Sequence, residues 1–259
     1  MTACALAVGG QASPTAGRFM DSRDLSSTHA SWLRQIRQRM RTFWAAKFIG
    51  TTLGMTAFFV VYFWLLHHPY FPITIMPLTV LDRWIGFQPD ALVLYVSLWF
   101  YVSFAPALLT EARLLWSYLA AAAVLSVIGL GIFLVWPTAV PVVSLDWPHH
   151  GFFFMLQKVD ASGNACPSLH VAFAVFTAFW FERILREMHA GRAVRMANVL
   201  WCLGILYSTI ATRQHVALDV LAGAILGAGV ALGHLRLVRP VTPAQRLTAC
   251  GPCGHGSVP

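Results

Sequence analysis

The chain has 259 residues, of which 58% are hydrophobic and 11% charged, with a formal net charge of +8. A soluble globular domain carries about a quarter charged residues, so this composition excludes an ordinary water-exposed surface and leaves lipid or other apolar helices around most of the chain. The basic residues do not gather among aromatics on one candidate domain, which argues against nucleic acid as a partner; they stand between hydrophobic stretches instead.

Residues 1–30 are small and polar without a periodic apolar face, and are expected to be disordered. No basic segment precedes an apolar run at the start, so no cleavable signal is expected. Trp32, Leu33, Ile36, Met40 and Phe43 then recur at helical spacing among Arg34, Arg37, Arg39 and Arg41. This pattern predicts a basic amphipathic interfacial helix over 31–42, and it also fits a solvated start to the first span.

Crossing a hydrocarbon core about 30 Å thick takes about 20 mostly apolar residues. Six stretches qualify: 43–66, 91–110, 116–138, 168–187, 197–213 and 215–237. The expected fold is all-α, a polytopic six-transmembrane-helix bundle forming one membrane domain over 43–238, with a flexible tail over 239–259. Sorting Lys and Arg by the side on which their connections fall gives fifteen against three, which predicts cytoplasmic termini. The loops 67–90 and 139–167 and the 213–215 turn then face the periplasm or an organelle lumen.

Asp219 falls inside an apolar span, where an unpaired charge costs a few kcal/mol. It lies four residues after His215, so the two are expected to share a helical face on which the carboxylate can hydrogen-bond the imidazole. A second element, Cys166-Pro167-Ser168-Leu169-His170, precedes the apolar run Val171 to Phe181. Proline and serine before such a run mark a helix start, whose first-turn N–H groups make a phosphate site. Spans four and five run in opposite directions, which brings His170 and His215 to one membrane face.

Pro167-Ser168-Leu169-His170, and His215-Val216-Ala217-Leu218-Asp219 followed by Gly223, resemble the second and third signatures of the type-2 phosphatidic acid phosphatase superfamily. The likeness extends to its branch of inositol phosphorylceramide synthases and, more distantly, sphingomyelin synthases. Ser208-Thr209, Thr212, Asp82-Arg83-Trp84 and Phe87-Gln88-Pro89 resemble bacterial members of that branch. The resemblance implies a lipid phosphate phosphatase type of bundle and a metal-free, cofactor-free reaction. His215, supported by Asp219, would become a phosphohistidine, with His170 as general acid and base. Ser168, Leu169 and Arg213 would hold the phosphoryl oxygens.

Two departures bear on the substrate. The superfamily's first signature, a lysine and an Arg-Pro pair, has no counterpart in Trp136-Pro137-Thr138-Ala139-Val140-Pro141, and Thr209 stands where phosphatases carry arginine. A phosphomonoester dianion wants those cations more than a phosphodiester does. This favours transfer of a phosphorylated head group between lipids, with a lipid phosphate or polyprenyl diphosphate phosphatase as the alternative; Arg83, Lys158 or Arg213 are the cations that could fill in.

Asp160, Asn164 and Thr212 are candidate head-group or acceptor contacts, although turn formation also explains Asp160 and Asn164. His67, His68, His149 and His150 stand in outward loops, either shaping a head-group pocket or solvated. Gly151 to Leu156 is too short to span and reads as an interfacial segment. Gly223 and Gly227 form a small-xxx-small pair suited to close packing. Cys250 and Cys253 lack the strand and helix that tune a redox pair. The expected partners are membrane lipids, with no obligatory protein partner. Two other functions fit parts of the pattern: a membrane oxygenase using His170, His215 and Asp219 as metal ligands, and a scaffold in which these residues only pack.

Overall fold

The computed structural model describes residues 34–141 and 163–238, and the chain divides into two units, residues 1–38 and 39–259. The expectations for residues 1–30, the segment 151–156, His149, His150, Lys158, Asp160 and the Cys250/Cys253 tail fall outside the described residues. Helical backbone runs over 34–41.

In the second unit the elements follow as α1 (Trp44–His67), β1 (Thr74–Ile75), α2 (Val80–Ile85), a 3-10 turn (Pro89–Ala91), α3 (Leu92–Val96), α4 (Leu98–Leu108), α5 (Ala112–Val135), β2 (Thr138–Ala139), α6 (Leu169–Glu187), α7 (Arg192–Ala211) and α8 (Ala217–Leu237). The fold is all-α apart from the short parallel pairing of β1 with β2, Thr74 opposite Thr138 and Ile75 opposite Ala139. Among the described residues five segments are long and apolar enough to cross a membrane: α1, Pro89–Leu108, α5, α7 and α8. The protein is therefore an integral membrane protein.

The fourth expected span folds as α6, long enough to cross but outside the five by composition, because Glu182, Arg183, Arg186 and Glu187 crowd its last six residues. Its apolar half is enclosed by protein: Val171, Ala172, Ala174, Phe176 and Trp180 are fully buried. The charged end is internally paired. The Glu182 carboxylate accepts from Arg186 and Arg195 at 2.8 and 2.7 Å, and Arg183 meets Glu187 at 3.1 Å. The first-turn residues of α7 are thus tied back to α6, which is why that helix begins earlier than hydropathy places it.

Apolar helices gain little from leaving lipid for each other, so close packing and interhelical hydrogen bonds decide how they associate. Helix α6 is the centre, with α8, α7 and α4 packed around it. A Cβ on Gly223 would lie 2.3 Å from the Ser168 carbonyl oxygen, and one on Gly227 would lie 2.2 Å from that of Ala172. The two glycines let the α8 and α6 backbones meet, as the small-xxx-small spacing predicts. On another side, Tyr101 donates to the Asn198 amide oxygen at 2.6 Å while the Asn198 amide donates to the Ala178 carbonyl at 3.1 Å, so one buried network joins α4, α7 and α6. Helix α1 is attached through Lys47, whose ammonium donates to the carbonyls of Ala107 and Arg39 at 2.7 and 2.8 Å.

Candidate active site

The start of α6 is fixed from both sides. Upstream, the Thr138 hydroxyl accepts from the Cys166 N–H at 2.7 Å and the Thr138 carbonyl from the Ala165 N–H at 3.2 Å. Ser168 is the helix cap, its hydroxyl accepting from the Val171 N–H at 3.3 Å. Across the bundle, the Ser168 N–H donates to the Asp219 carbonyl at 3.0 Å. One expected phosphate donor is thus already engaged, and the N–H groups of Leu169 and His170 are the first-turn donors of the expected set that remain for a ligand. Burial, and after it the neighbouring Asp219 carboxylate, pushes the Cys166 thiol up to about 11, so it stays protonated there.

His215 is not on a helix. Helix α8 begins at Ala217, and His215 ends a tight turn in which its N–H and that of Gln214 both donate to the Thr209 carbonyl, at 3.1 and 3.2 Å. Asp219 reaches back toward this turn as a capping residue, one carboxylate oxygen accepting from the Val216 N–H at 3.0 Å. The same oxygen lies 3.7 Å from His215 Nδ1, too long for a hydrogen bond. The shared helical face expected from the spacing is therefore corrected: the two groups are neighbours because the carboxylate caps the helix that the histidine precedes.

The structure brings His170 and His215 together, with ring centroids 5.6 Å apart. His215 is 6% exposed and Asp219 fully buried, yet both nitrogens of His215, the second carboxylate oxygen of Asp219 and the Nε of Arg213 have no hydrogen-bond partner among the described residues. Arg213 is half-buried in a left-handed turn (φ 59°). Buried polar atoms are nearly always paired; of the eight such side-chain atoms without a partner among the described residues, four gather around this turn and the others are on Thr177, Trp180, Glu182 and His234. Among the described residues no group of three or more His, Cys, Asp or Glu side chains is placed to hold a metal ion.

The other candidates are engaged elsewhere. Asn164 is buried, adopts a left-handed φ of 51°, and its amide donates to the Tyr62 carbonyl at 3.4 Å. Thr212 is buried, its hydroxyl donating to the Ser208 carbonyl at 2.7 Å to close α7. Each thus donates to a backbone carbonyl of its surroundings. The Nδ1–H groups of His67 and His68 donate to the Phe63 and Trp64 carbonyls at 2.7 and 2.9 Å and finish α1.

Sequence reasoning singled out Asp82 and Gln88 only as motif likeness and missed the strap they form on the turn bearing His215. Asp82, 1% exposed, accepts from the Thr79 N–H and hydroxyl through one oxygen, each at 2.7 Å, and from the Ala217 N–H through the other at 2.8 Å. It caps α2 and α8 at once. Gln88 binds the other side of the turn: its N–H donates to the Ala211 carbonyl at 2.8 Å, and its side-chain oxygen accepts from the Tyr207 hydroxyl. Thr79-x-x-Asp82 is visible as a capping box, but nothing local indicates the second oxygen's partner. Asp82→Ala would leave the N–H groups of half-buried Ala217 and Thr79 without this partner, a cost of about 2 kcal/mol. It is expected to lower the melting temperature in detergent and to reduce turnover.

The sequence model of the PAP2 superfamily matches residues 110–243. The chain belongs to the PAP2 superfamily. The match takes in α5 to α8 with both histidine elements, and it leaves Asp82, Gln88 and the helices before residue 110 outside. No curated protein and no solved structure matches the chain, so the comparisons select no branch within the superfamily. As a PAP2 superfamily membrane protein it is consistent with a lipid phosphatase or phosphotransferase.

Proposed function

We propose that this protein is a lipid phosphotransferase that moves a phosphorylated head group from a donor lipid to a lipid hydroxyl through a phosphohistidine on His215. The His215 ring carries the reading: it is buried, unpartnered on both nitrogens among the described residues, 3.7 Å from Asp219 and beside His170. Nδ1 faces the carboxylate, so Nε2 is the nitrogen that attacks. Its lone pair forms the P–N bond as the P–O bond to the donor breaks, and the departing oxygen takes a proton from His170. The positive phosphoimidazole ring is balanced by Asp219. In the second step the acceptor hydroxyl gives its proton to His170, its oxygen attacks phosphorus, and the P–N bond breaks. The Leu169 and His170 N–H groups and Arg213 hold the phosphoryl oxygens as charge develops.

Transfer is favoured over hydrolysis by the cations this chain lacks. Thr209 and the stretch Trp136 to Pro141 offer no positive charge to a phosphomonoester dianion, whereas a diester needs less. We place the site on the periplasmic or lumenal side with both termini cytoplasmic. The support is the fifteen-to-three bias of Lys and Arg and the position of the histidines at the end of α6 opposite Glu182, Arg183, Arg186 and Glu187.

The test is a lipid assay on purified protein in detergent and chelator, with a labelled phosphodiester lipid or phosphatidate and with or without an alcohol-bearing lipid acceptor. Label on the acceptor is the expected result. Free phosphate alone, unaffected by acceptor, would make the protein a phosphatase, and label that stays on the donor would refute both.

A further inference from the structure

His170 is held by a residue outside the matched region. Tyr95 on α3 is 2% exposed; its hydroxyl oxygen lies 2.8 Å from His170 Nε2, and the two ring centroids are 4.9 Å apart. Trp99 on α4 meets the same imidazole edge-on at 6.2 Å. With His215 on a further side at 5.6 Å, the His170 ring is bracketed by three aromatic rings and fixed at one nitrogen. That is more restraint than packing requires, since a histidine at a helix start needs only its backbone to sit there.

We propose that Tyr95 is a positioning residue for proton transfer: its phenolic oxygen accepts from His170 Nε2–H, so that Nδ1 is the nitrogen that trades the proton with substrate. The inference rests on the reading of His170 as acid and base. A ring nitrogen occupied by a hydrogen bond sets which tautomer the neutral imidazole adopts. The protonated ring carries hydrogen on both nitrogens, and Nδ1 gives its proton to the departing donor oxygen as the P–O bond breaks. The neutral ring left behind keeps Nε2–H on Tyr95 and presents the Nδ1 lone pair to the acceptor hydroxyl. Without Tyr95 the neutral ring can adopt the other tautomer, with its lone pair on the wrong nitrogen, and the ring can turn. The charged form also loses a hydrogen bond of the stronger, charge-assisted kind.

The test exploits leaving groups. A phosphodiester lipid with an alkyl leaving oxygen needs a proton as it departs, whereas a nitrophenyl analogue does not. Tyr95→Phe keeps the ring against His170 and removes one oxygen. With the alkyl donor it is expected to lower kcat by about 10- to 100-fold, the range for a hydrogen bond to a charged group, with KM unchanged. The burst of nitrophenol release from the analogue should stay near that of the unmodified protein. His170→Ala, measured alongside, should show the same selectivity more strongly. If Tyr95→Phe slows both donors equally, or neither, while His170→Ala discriminates, Tyr95 only packs and the proposal fails. If His170→Ala does not discriminate either, the acid–base role of His170 fails, and this inference with it.

Discussion

His215→Ala is expected to abolish lipid turnover, by at least about 10⁴-fold, the scale on which loss of a covalent nucleophile is felt, while the protein stays folded. The two halves of that statement come from the same geometry. The imidazole makes no hydrogen bond among the described residues, so its removal breaks none there, and the turn it ends is held by main-chain bonds to the Thr209 carbonyl and by the Asp82 and Asp219 caps. The melting temperature should therefore move little. Label from a phosphate-labelled donor, trapped on the unmodified protein by rapid denaturation, should be missing from the variant. Retained turnover would remove His215 as nucleophile; lost turnover with a collapsed melting curve would show instead that the ring is structural.

The parts of this site that were legible in the sequence are those encoded within a few residues. Pro167-Ser168 before an apolar run announces a helix start, and Ser168 is that cap. Gly223 and Gly227, four apart in an apolar run, announce close approach, and the backbone of α6 is what they approach. The His215 and Asp219 spacing correctly paired the two residues for a reason that proved incomplete: a capping carboxylate at the third helical position and a partner at i+4 on a helix look alike in one dimension. The Ala217 N–H that Asp82 caps is 135 residues away in sequence, and the ring nitrogen that Tyr95 touches is 75 away. A tyrosine in an apolar span reads as filler, and an aspartate in a capping box reads as already satisfied, because local pattern does not count the second oxygen. Five of the described segments meet both the length and the composition of a crossing. Helix α6, the other expected one, is long enough but carries four charges in its last six residues. Hydropathy counts these against it, although all four are paired within the helix or to α7.

Gly223→Ala is expected to slow turnover more than alanine at Gly227, Gly229 or Gly233. The added carbon would stand 2.3 Å from the Ser168 carbonyl oxygen and 3.2 Å from the Val171 Cβ, and since the first of these is backbone, no side-chain rotation relieves it. Helix α8 must move away from α6. The move stretches the bond from the Ser168 N–H to the Asp219 carbonyl, which ties the start of α8, next to the turn bearing His215, to the start of α6. A displacement of about 1 Å between reacting groups costs on the order of 10²-fold in rate, so kcat should fall by about that factor even where the variant still folds. Gly227→Ala meets the Ala172 carbonyl at 2.2 Å one turn deeper and should lower stability with a smaller effect on rate, because the turn bearing His215 lies farther away. Gly229 and Gly233 have nothing within 4 Å of an added carbon, so alanine at either should leave melting and turnover unchanged. Equal losses at all four positions would mean that helix flexibility, rather than contact between the α6 and α8 backbones, governs the site.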